Sequence, residues 1–396
     1  MRKRRLRDLE RPGHDGLAGA RVLLRVDYNV QVDEGGVLDD LRLRESVPTI
    51  QALRAAGARV VICSHRGRPG GAVDESLRNW PVARRLEQLL DAPVSSASDC
   101  VGPDVELDVA ALAPGEVLLL ENVRFHPGEE ADDRCFVAAL ARLADVFVND
   151  AFGTAHRAHG SIVGPPRHLP AAAGLLLQRE VKMLERVTRA PEPPLALVLG
   201  GAKVSDKLAS LQALARHADT LAIGGAMAYT FLAGEGRAVG ASRLEPDRIE
   251  DARRVSRAAL DAGRRLLLPR DHRVVERIQT GAPVKVVQEI PDGWIAVDLG
   301  PEPARDYADE ASRARTLFWN GPMGIFEVAD YAAGTETVAH AVAGSRANTI
   351  VGGGDSLAAV NHLGLGHRID HLSTGGGASL EYIQGRTRPG VAALQR

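Results

Sequence analysis

Short β-rich apolar runs alternate with segments of helical periodicity along the whole chain, and this pattern limits the possible folds more than any other feature. It predicts parallel sheets with helices on both faces, because parallel strands need a crossover connection between them. At 396 residues the chain exceeds the ~250–300 at which one hydrophobic core stops growing, so we expect two domains. The predicted strands are Arg21–Val26, Arg59–Ser64, Val117–Glu121, Asp145–Asn149, Leu195–Leu199, Thr220–Ile223, Arg265–Leu268, Thr316–Trp319 and Thr349–Val351.

The strand pattern restarts after a break at Pro165–Pro170. The next segment, AAAGLLLQREVKMLERV, has helical periodicity and is predicted to form a long connecting helix. The sequence therefore predicts an α/β protein with two doubly wound, Rossmann-like parallel-sheet lobes, residues 1–170 and 171–373, joined by a hinge helix. The other predicted helices are Glu45–Ala56, Pro81–Leu90, Ala131–Ala144, Ser205–His217, Asp247–Ala262 and Gly334–Ala343.

Bulk composition excludes several classes of protein. A formal net charge of −2 argues against a general nucleic-acid binder. No window approaches the ~18 consecutive apolar residues of a membrane span, so no membrane partner is expected. The basic Met1–Arg7 precedes no apolar segment and is not a secretory signal. Three cysteines without C-x-x-C spacing are typical of reduced thiols in a cytoplasmic protein.

Basic and polar residues follow the strand ends of the first half. Ligands of open parallel sheets bind beyond the carboxyl ends of the strands, and guanidinium groups match carboxylate and phosphate. Any single arginine of this Arg-rich chain is more simply a surface charge, yet several in similar loops indicate a pocket for a small polyanion. The candidate residues are Asp27, Asn29, Arg42, His65, Arg68, Arg124 and Arg157.

Glycine turns follow the strand ends of the second half. The segment LALVLGGAKVSDK carries Lys203 and Lys207, although only five of the 49 basic residues are Lys. A flexible ammonium suits a group that follows a moving phosphoryl, and a strand, glycine turn and helix start together attract anions. Two solvated lysines on an ordinary turn are the alternative. Such a glycine-rich mouth suits a nucleotide, whose phosphates need close backbone approach.

Two motifs have alternative interpretations at this point. In IVGGGDS, Asp355 or Ser356 either caps a helix or helps to hold nucleotide phosphate and Mg²⁺, with Asp355 as the carboxylate ligand. His156 and His159 have H-x-x-H spacing, but no neighbouring Glu or Cys completes a metal site, so structural or anion-binding roles are favoured.

Nine motifs are spread over essentially the whole chain in the order RVLLRVDYNV, SHRGRP, ENVRFHPGEE, VNDAFGTAHRAHGS, LGGAKVSDK, IGGAMAYTF, WNGPMGIFE, VGGGDS and STGGGAS. By these motifs and their order the chain resembles the phosphoglycerate kinase family. Arg66 stands where the family usually has Leu, and we expect it to add charge at the rim of the pocket.

The resemblance implies a glycolytic phosphotransferase that interconverts 1,3-bisphosphoglycerate and ADP with 3-phosphoglycerate and ATP. It implies Mg²⁺ as cofactor, a cytoplasmic monomer, and a C-terminal segment, residues 374–396, that crosses back to the first lobe. The seven candidates listed above match the phosphoglycerate site, and Arg42, Lys203 and Gly376 match catalytic positions. The implied nucleotide-binding residues are Lys207, Gly225, Asn320, Pro322, Glu327, Gly353, Gly354, Asp355 and Ser356, with Asp355 on the metal side.

The implied nucleophile is a carboxylate, which is already ionised at neutral pH, so the reaction needs no general base. It needs alignment of the reactants and neutralisation of the charge on the transferred group. The competing hypotheses are a catalytically inactive nucleotide-binding scaffold, another two-lobe kinase, and a dinucleotide-dependent dehydrogenase. No G-x-G-x-x-G with an acidic residue ~20 positions on follows the first strand, which disfavours the dehydrogenase.

Overall fold

The computed structural model of the protein describes Leu6, Leu9 and residues 16–215, 217–385 and 388–395. By internal packing the chain divides into two compact units. Unit 1 comprises Met1–Val181 together with Thr387–Arg396, and unit 2 comprises Lys182–Arg386. The division falls within one helix, Leu175–Thr188, which follows the predicted break at Pro165–Pro170.

Unit 1 is built on a six-stranded sheet in which every pair of neighbouring strands is parallel. The two central strands are apolar and almost entirely buried, as expected for a sheet covered on both faces. In spatial order the strands are Val94–Ser96, Val117–Leu119, Arg59–Cys63, Arg21–Arg25, Val146–Asn149 and Ala171–Ala173. A two-stranded hairpin, Val32–Asp33 with Gly36–Val37, lies outside this sheet.

Unit 2 contains a second six-stranded sheet, again parallel throughout. Its spatial order is Arg265–Leu267, Thr220–Ile223, Leu195–Leu199, Thr316–Asn320, Asn348–Gly352 and His371–Ser373. A smaller antiparallel sheet has the order Lys285–Val287, His272–Val275 and Ile295–Leu299. The two parallel sheets confirm the predicted α/β class and doubly wound architecture.

Helices connect the strands as the alternating pattern predicts. Those that begin in unit 1 are Leu41–Ala55, Trp80–Leu90, Pro103–Ala111, Pro127–Glu130, Arg134–Arg142, Gly160–Val163, Leu175–Thr188 and Pro389–Ala392. Those of unit 2 are Leu208–Leu214, Met227–Gly234, Ile249–Asp261, Pro301–Arg313, Ala333–Gly344, Gly354–His362 and Gly377–Ile383. Among the described helices, none is both long and apolar enough to cross a membrane.

The connecting segment differs from its prediction at its beginning. Ala171–Ala173 forms an edge strand paired with Phe147–Asn149, and the helix begins only at Leu175. Gly174 separates the two elements, and a Cβ there would lie 2.3 Å from Oδ1 of Asp150. The alanines have high helix propensity, but the sheet edge overrides that preference.

Residues near the C-terminus pack within unit 1. The Gly390 N–H donates to the Ala155 carbonyl over 3.0 Å, and a Cβ at Gly390 would lie 2.6 Å from Cγ2 of Ile162. By contrast, Gln384 hydrogen-bonds Ser210 in unit 2. The two units thus divide the C-terminal segment between them.

Candidate functional site

Four adjacent strands of unit 1 bring polar residues, including the predicted Asp27 and His65, to one edge of the sheet. Asp27, His65, Asn122 and Asp150 follow the carboxyl ends of Arg21–Arg25, Arg59–Cys63, Val117–Leu119 and Val146–Asn149, respectively, and those strands lie side by side. The loops after these strands therefore form a common mouth, as the strand-end rule predicts.

An ion pair joins Asp27, at this mouth, to Arg42 in the first turn of helix Leu41–Ala55. Nη1 of Arg42 lies 2.7 Å from Oδ1 of Asp27. Burial on its own raises the pKa of Asp27, but the Arg42 and Arg25 guanidinium groups outweigh it and hold this pKa below its usual value. The carboxylate is thus charged at neutral pH and orients Arg42.

His65 is a neutral imidazole in this setting. Burial, reinforced by Arg25, Arg124 and Arg42, holds the pKa of His65 well below its usual value, against the opposing effect of Asp27. Nδ1 of His65 lies 3.3 Å from an Arg25 guanidinium nitrogen. His65 therefore offers hydrogen bonds to a ligand without adding charge.

Arg25 is a site residue that the sequence analysis missed. It ends strand Arg21–Arg25 after three apolar residues, is 1% exposed, and donates from Nε to Oγ of Ser161 over 2.8 Å. Ser161 in turn bonds both carboxylate oxygens of the buried Glu129, through its N–H and its hydroxyl, at 2.7 Å each. An arginine in an apolar strand, at the carboxyl end, was the available signal.

A second group of cations lies beside the first. Arg124 is buried and donates to the Gly67 carbonyl over 2.7 Å. Burial lowers the pKa of Arg124, and the neighbouring Arg157 lowers it further. Burial and the same two arginines lower the pKa of His159 to about 4. Such mutual repulsion is relieved by a bound polyanion, which makes this cluster a candidate anion pocket.

The remaining predicted residues of unit 1 differ in burial. The Asn29 side-chain oxygen accepts the Gly67 N–H over 2.9 Å, whereas Arg68 is exposed. Arg66, expected at the rim, is instead buried, and its guanidinium donates to the backbone carbonyls of Ser76 and Arg78. These carbonyls satisfy its charge, so the rim expectation is wrong.

In unit 2, three glycine turns come together at adjacent strand ends. The Gly201 N–H donates to the Pro322 carbonyl, and the Gly225 N–H donates to the Met323 carbonyl, both at 3.0 Å. A Cβ at Gly225, whose φ is +65°, would lie 2.5 Å from the Gly201 nitrogen. A side chain at this position would separate the turns, which explains the glycine.

Lys207 connects two of these turns through hydrogen bonds. Its ammonium donates to the Gly200 carbonyl and, over 2.8 Å, to the Asn320 carbonyl. Burial lowers the pKa of Lys207 to about 8, against the effects of Asp355 and Asp206. The Asn320 side chain donates to the Gly352 carbonyl over 2.7 Å and so links the turn to the neighbouring strand end.

Asp355 lies in the first turn of helix Gly354–His362, and its carboxylate is exposed. The residue at the N-cap is Gly353, with φ +94°, and no side chain caps the helix. Ser356 accepts the Gly321 N–H at 2.5 Å instead. The capping interpretation of Asp355 and Ser356 is therefore wrong, and the exposed carboxylate is free to face a ligand.

The other predicted residues of unit 2 lie on loops and turns. Lys203 is exposed and contributes to the lowered pKa of Glu245, where bonds from Ser205 outweigh the effect of burial. Pro322 is buried and Glu327 is exposed. Gly376, with φ +53°, precedes helix Gly377–Ile383.

Comparison with known proteins identifies the family. A family model described as "Phosphoglycerate kinase" matches residues 14–386. The chain belongs to the phosphoglycerate kinase family. It is 52% identical over 396 residues to the phosphoglycerate kinase of Moorella thermoacetica, covering 100% of this chain and 99% of that one. Identity to the Rubrobacter xylanophilus phosphoglycerate kinase is also 52%, with 100% and 98% covered.

Solved phosphoglycerate kinase structures share the fold. The Coxiella burnetii structure matches with a TM-score of 0.85 at 36% identity, covering 96% of this chain and 97% of that one. The Pyrococcus horikoshii structure matches with a TM-score of 0.86 at 31% identity, covering 99% and 98%. The predicted phosphoglycerate kinase activity, a phosphotransfer with a carboxyl acceptor and ATP or ADP as co-substrate, is thereby confirmed.

Proposed function

We propose that the cationic pocket of unit 1 binds 3-phosphoglycerate or 1,3-bisphosphoglycerate and that the glycine turns of unit 2 bind Mg-ATP or Mg-ADP. The observation that carries this assignment is the crowding of like charges in unit 1. Arg25, Arg42, Arg124 and Arg157 lie close enough to lower the pKa values of nearby basic side chains. A ligand that carries both a carboxylate and a phosphate would neutralise the positive charge of these arginines.

In this proposal Arg42 and Arg124 bind the anionic ends of phosphoglycerate bidentately. Asp27 fixes Arg42 through the 2.7 Å ion pair. Asn29, His65, Arg68 and Arg157 complete the predicted pocket. Neutral His65 and the Asn29 amide are suited to substrate oxygens, because they provide hydrogen bonds without further charge.

The nucleotide phosphates are proposed to lie on the glycine turns. Gly353 and Gly354 open helix Gly354–His362, whose N-terminal N–H groups and dipole favour anions. Lys207 supports the turn below them, and Gly225, Asn320, Pro322 and Glu327 are assigned to the adenosine. Lys203, exposed on its loop, is free to follow the transferred phosphoryl.

The exposed Asp355 carboxylate fits Mg²⁺, a hard cation that takes oxygen ligands and usually retains several waters and substrate phosphates. When bound, the ion would neutralise phosphate charge. Asp355 would anchor it beside the proposed phosphate turn, while nearby Lys207 stays paired with backbone carbonyls.

Catalysis in this scheme rests on charge and alignment. The attacking carboxylate needs no deprotonation, and a loose transition state spreads charge over the equatorial oxygens of the transferred group. Arg42, Lys203 and the amide of Gly376 are the groups proposed to stabilise that charge. One such preorganised donor typically contributes ~2.7–4 kcal/mol.

Because the two proposed sites belong to different units, the proposal includes closure of the lobes about hinges near Pro165–Gly174 and in the C-terminal segment. Small-angle scattering with neither, one or both substrates tests this step. We expect the radius of gyration to fall only with both substrates bound. An unchanged value in the ternary complex would contradict closure.

A coupled assay for ADP formation from ATP and 3-phosphoglycerate tests the function itself. Parallel reactions without 3-phosphoglycerate, and with glycerate in its place, report hydrolysis and loss of phosphate recognition. ADP formation that depends on 3-phosphoglycerate is expected. Nucleotide binding without turnover would favour the inactive-scaffold hypothesis instead.

We also propose a monomeric, cytoplasmic enzyme. The family resemblance supports the monomer, and the free thiols of Cys63, Cys100 and Cys135 are typical of a reducing compartment. Light scattering at micromolar concentration is expected to give the mass of one chain.

A further inference from the structure

Outside the proposed substrate pocket, unit 1 brings an oxygen, a sulfur and a nitrogen ligand together. Asp99 and Cys100 lie in the loop after edge strand Val94–Ser96, and His126 is the N-cap of helix Pro127–Glu130. Their ligand atoms all lie within 4.8 Å of one another. Among the described residues, this is the group of three whose side chains could hold a metal ion.

The three side chains differ in burial, and the sulfur belongs to the buried one. Cys100 is fully buried, and its thiol donates a hydrogen bond to the Asp99 carboxylate. Nε2 of His126 lies 2.7 Å from Oδ1 of Asp99. The Asp99 and His126 side chains are 48% and 30% exposed, so an ion from solvent reaches the oxygen and nitrogen first.

We propose that Asp99, Cys100 and His126 bind one Zn²⁺ ion, with water as the fourth ligand. Thiolate, imidazole and carboxylate are the three side-chain donors that Zn²⁺ takes in proteins. Mg²⁺ prefers an oxygen-only shell, so this site is chemically distinct from the nucleotide metal. Binding breaks the Cys100 S–H bond and forms a Zn–S bond, and the thiol proton leaves to solvent.

The nitrogen and oxygen ligands lie close to the spacing that such an ion requires. The Asp99 carbonyl accepts the Glu121 N–H over 3.2 Å, which ties the cysteine loop to the segment leading to His126. The His126 ring stacks on Phe136 with centroids 5.3 Å apart. Zinc bonds of ~2.0–2.2 Å in a tetrahedron separate nitrogen and oxygen by about 3.3 Å, so the present pair needs to open by only about 0.6 Å.

The nearby carboxylate of Glu129 is not available as a fourth protein ligand. Both of its oxygens accept hydrogen bonds from Ser161. An ion at the proposed site would instead pin the loop of Asp99 to the segment that carries Arg124, two residues before His126. The alternative is that the three side chains only hydrogen-bond one another and stabilise this loop without an ion.

Cobalt(II) titration distinguishes these possibilities, because a cobalt–thiolate bond gives a near-ultraviolet charge-transfer band. The full chain is treated with chelator, exchanged into buffer containing Mg²⁺ but no nucleotide, and titrated with Co²⁺. We expect a band that saturates at one equivalent, is abolished by Zn²⁺, and is unaffected by excess Mg²⁺. No band at excess Co²⁺ would overturn the proposal.

Matched variants test which side chains bind the Co²⁺ ion. Cys100→Ser is expected to abolish the band, and His126→Gln to weaken Co²⁺ binding by ~100-fold or more, above the 10–100-fold typical of losing an outer-shell partner. Cys135→Ser, which removes an exposed thiol, is the control and is expected to retain the band. A band that persists in Cys100→Ser, or disappears in Cys135→Ser, refutes the assignment.

Thermal unfolding supplies a second readout if Cys100→Ser fails to fold. Zn²⁺ is expected to raise the Tm of the unmodified chain and to leave that of His126→Gln unchanged, since only a native-state ligand stabilises. Equal shifts in both proteins would contradict the site. Turnover with Mg-nucleotide, assayed in parallel, reports the proposed kinase function independently of these results.

Discussion

Replacing Lys207 by Met tests how much its buried ammonium contributes to the stability of the folded chain. Burial lowers the pKa of Lys207 from 10.5 to about 8, against the effects of Asp355 and Asp206. At ~1.36 kcal/mol per pKa unit, the charged form costs about 3 kcal/mol in the folded state. Two hydrogen bonds from a charged donor return ~1.5–3 kcal/mol each. The variant is therefore expected to lose no more than ~3 kcal/mol at pH 7.

The pH dependence of the free energy of unfolding tests the lowered pKa of Lys207 more directly. Between pH 8 and 10.5 the unfolded chain keeps the Lys207 proton while the folded chain releases it, so native stability rises with pH in this window. Lys207→Met lacks this gain. The stability difference between native protein and variant is thus expected to widen by about 2–3 kcal/mol from pH 7 to pH 10.

Urea unfolding of both proteins at the two pH values measures this difference, with Lys182→Met, at an exposed lysine, as the control. A gap that stays constant or narrows at pH 10 would refute the reasoning. In the coupled assay, the KM for ATP of Lys207→Met is expected to rise, because the glycine turns proposed to bind the nucleotide lose the lysine that connects them. An unchanged KM for ATP would show that Lys207 does not support the proposed nucleotide site.

Three further predictions concern single side chains. Lys203→Ala is expected to lower kcat by ~10²–10³ with both substrates saturating, and near-normal turnover in the coupled assay would remove Lys203 from the mechanism. Asp27→Asn releases Arg42 from its 2.7 Å ion pair, so the KM for 3-phosphoglycerate should rise while the KM for ATP stays constant; equal changes in both would contradict the assignment to unit 1. Gly353→Ala should destabilise the protein by ~1–3 kcal/mol in urea unfolding, because φ at this position is +94° and the added Cβ would lie 2.8 Å from the Asn320 amide. Gly354→Ala, with open space around its Cβ, serves as the milder control.

Much of the fold followed from periodicity alone. The strands Leu195–Leu199 and Thr220–Ile223 have the predicted bounds, because a run of five or three buried apolar residues ends at a glycine turn. Edge strands were missed where the pattern is weak. Val94–Ser96 is mostly polar and exposed, and its pairing with Val117–Leu119 depends on tertiary context that no local pattern records.

In the candidate site, too, some residues could be predicted from the sequence and others depend on tertiary context. Strand-end position and side-chain chemistry predicted Asp27, Arg42 and His65, which the structure brings together. Arg25 was missed among the many arginines although it ends an apolar run at the carboxyl end of a strand, because its role depends on its burial beside Ser161. Burial also decides the place of Arg66. Its guanidinium donates to two backbone carbonyls 10 and 12 residues further along the chain, a contact that the sequence pattern does not reveal.

The close packing around Gly390 has a consequence for folding during biosynthesis. This residue fits between Ala155 and Ile162 with no room for a side chain, yet it is translated after all of unit 2. Unit 1 can therefore complete its packing around Ala155 and Ile162 only after Gly390 has been translated, which is later than the whole of unit 2.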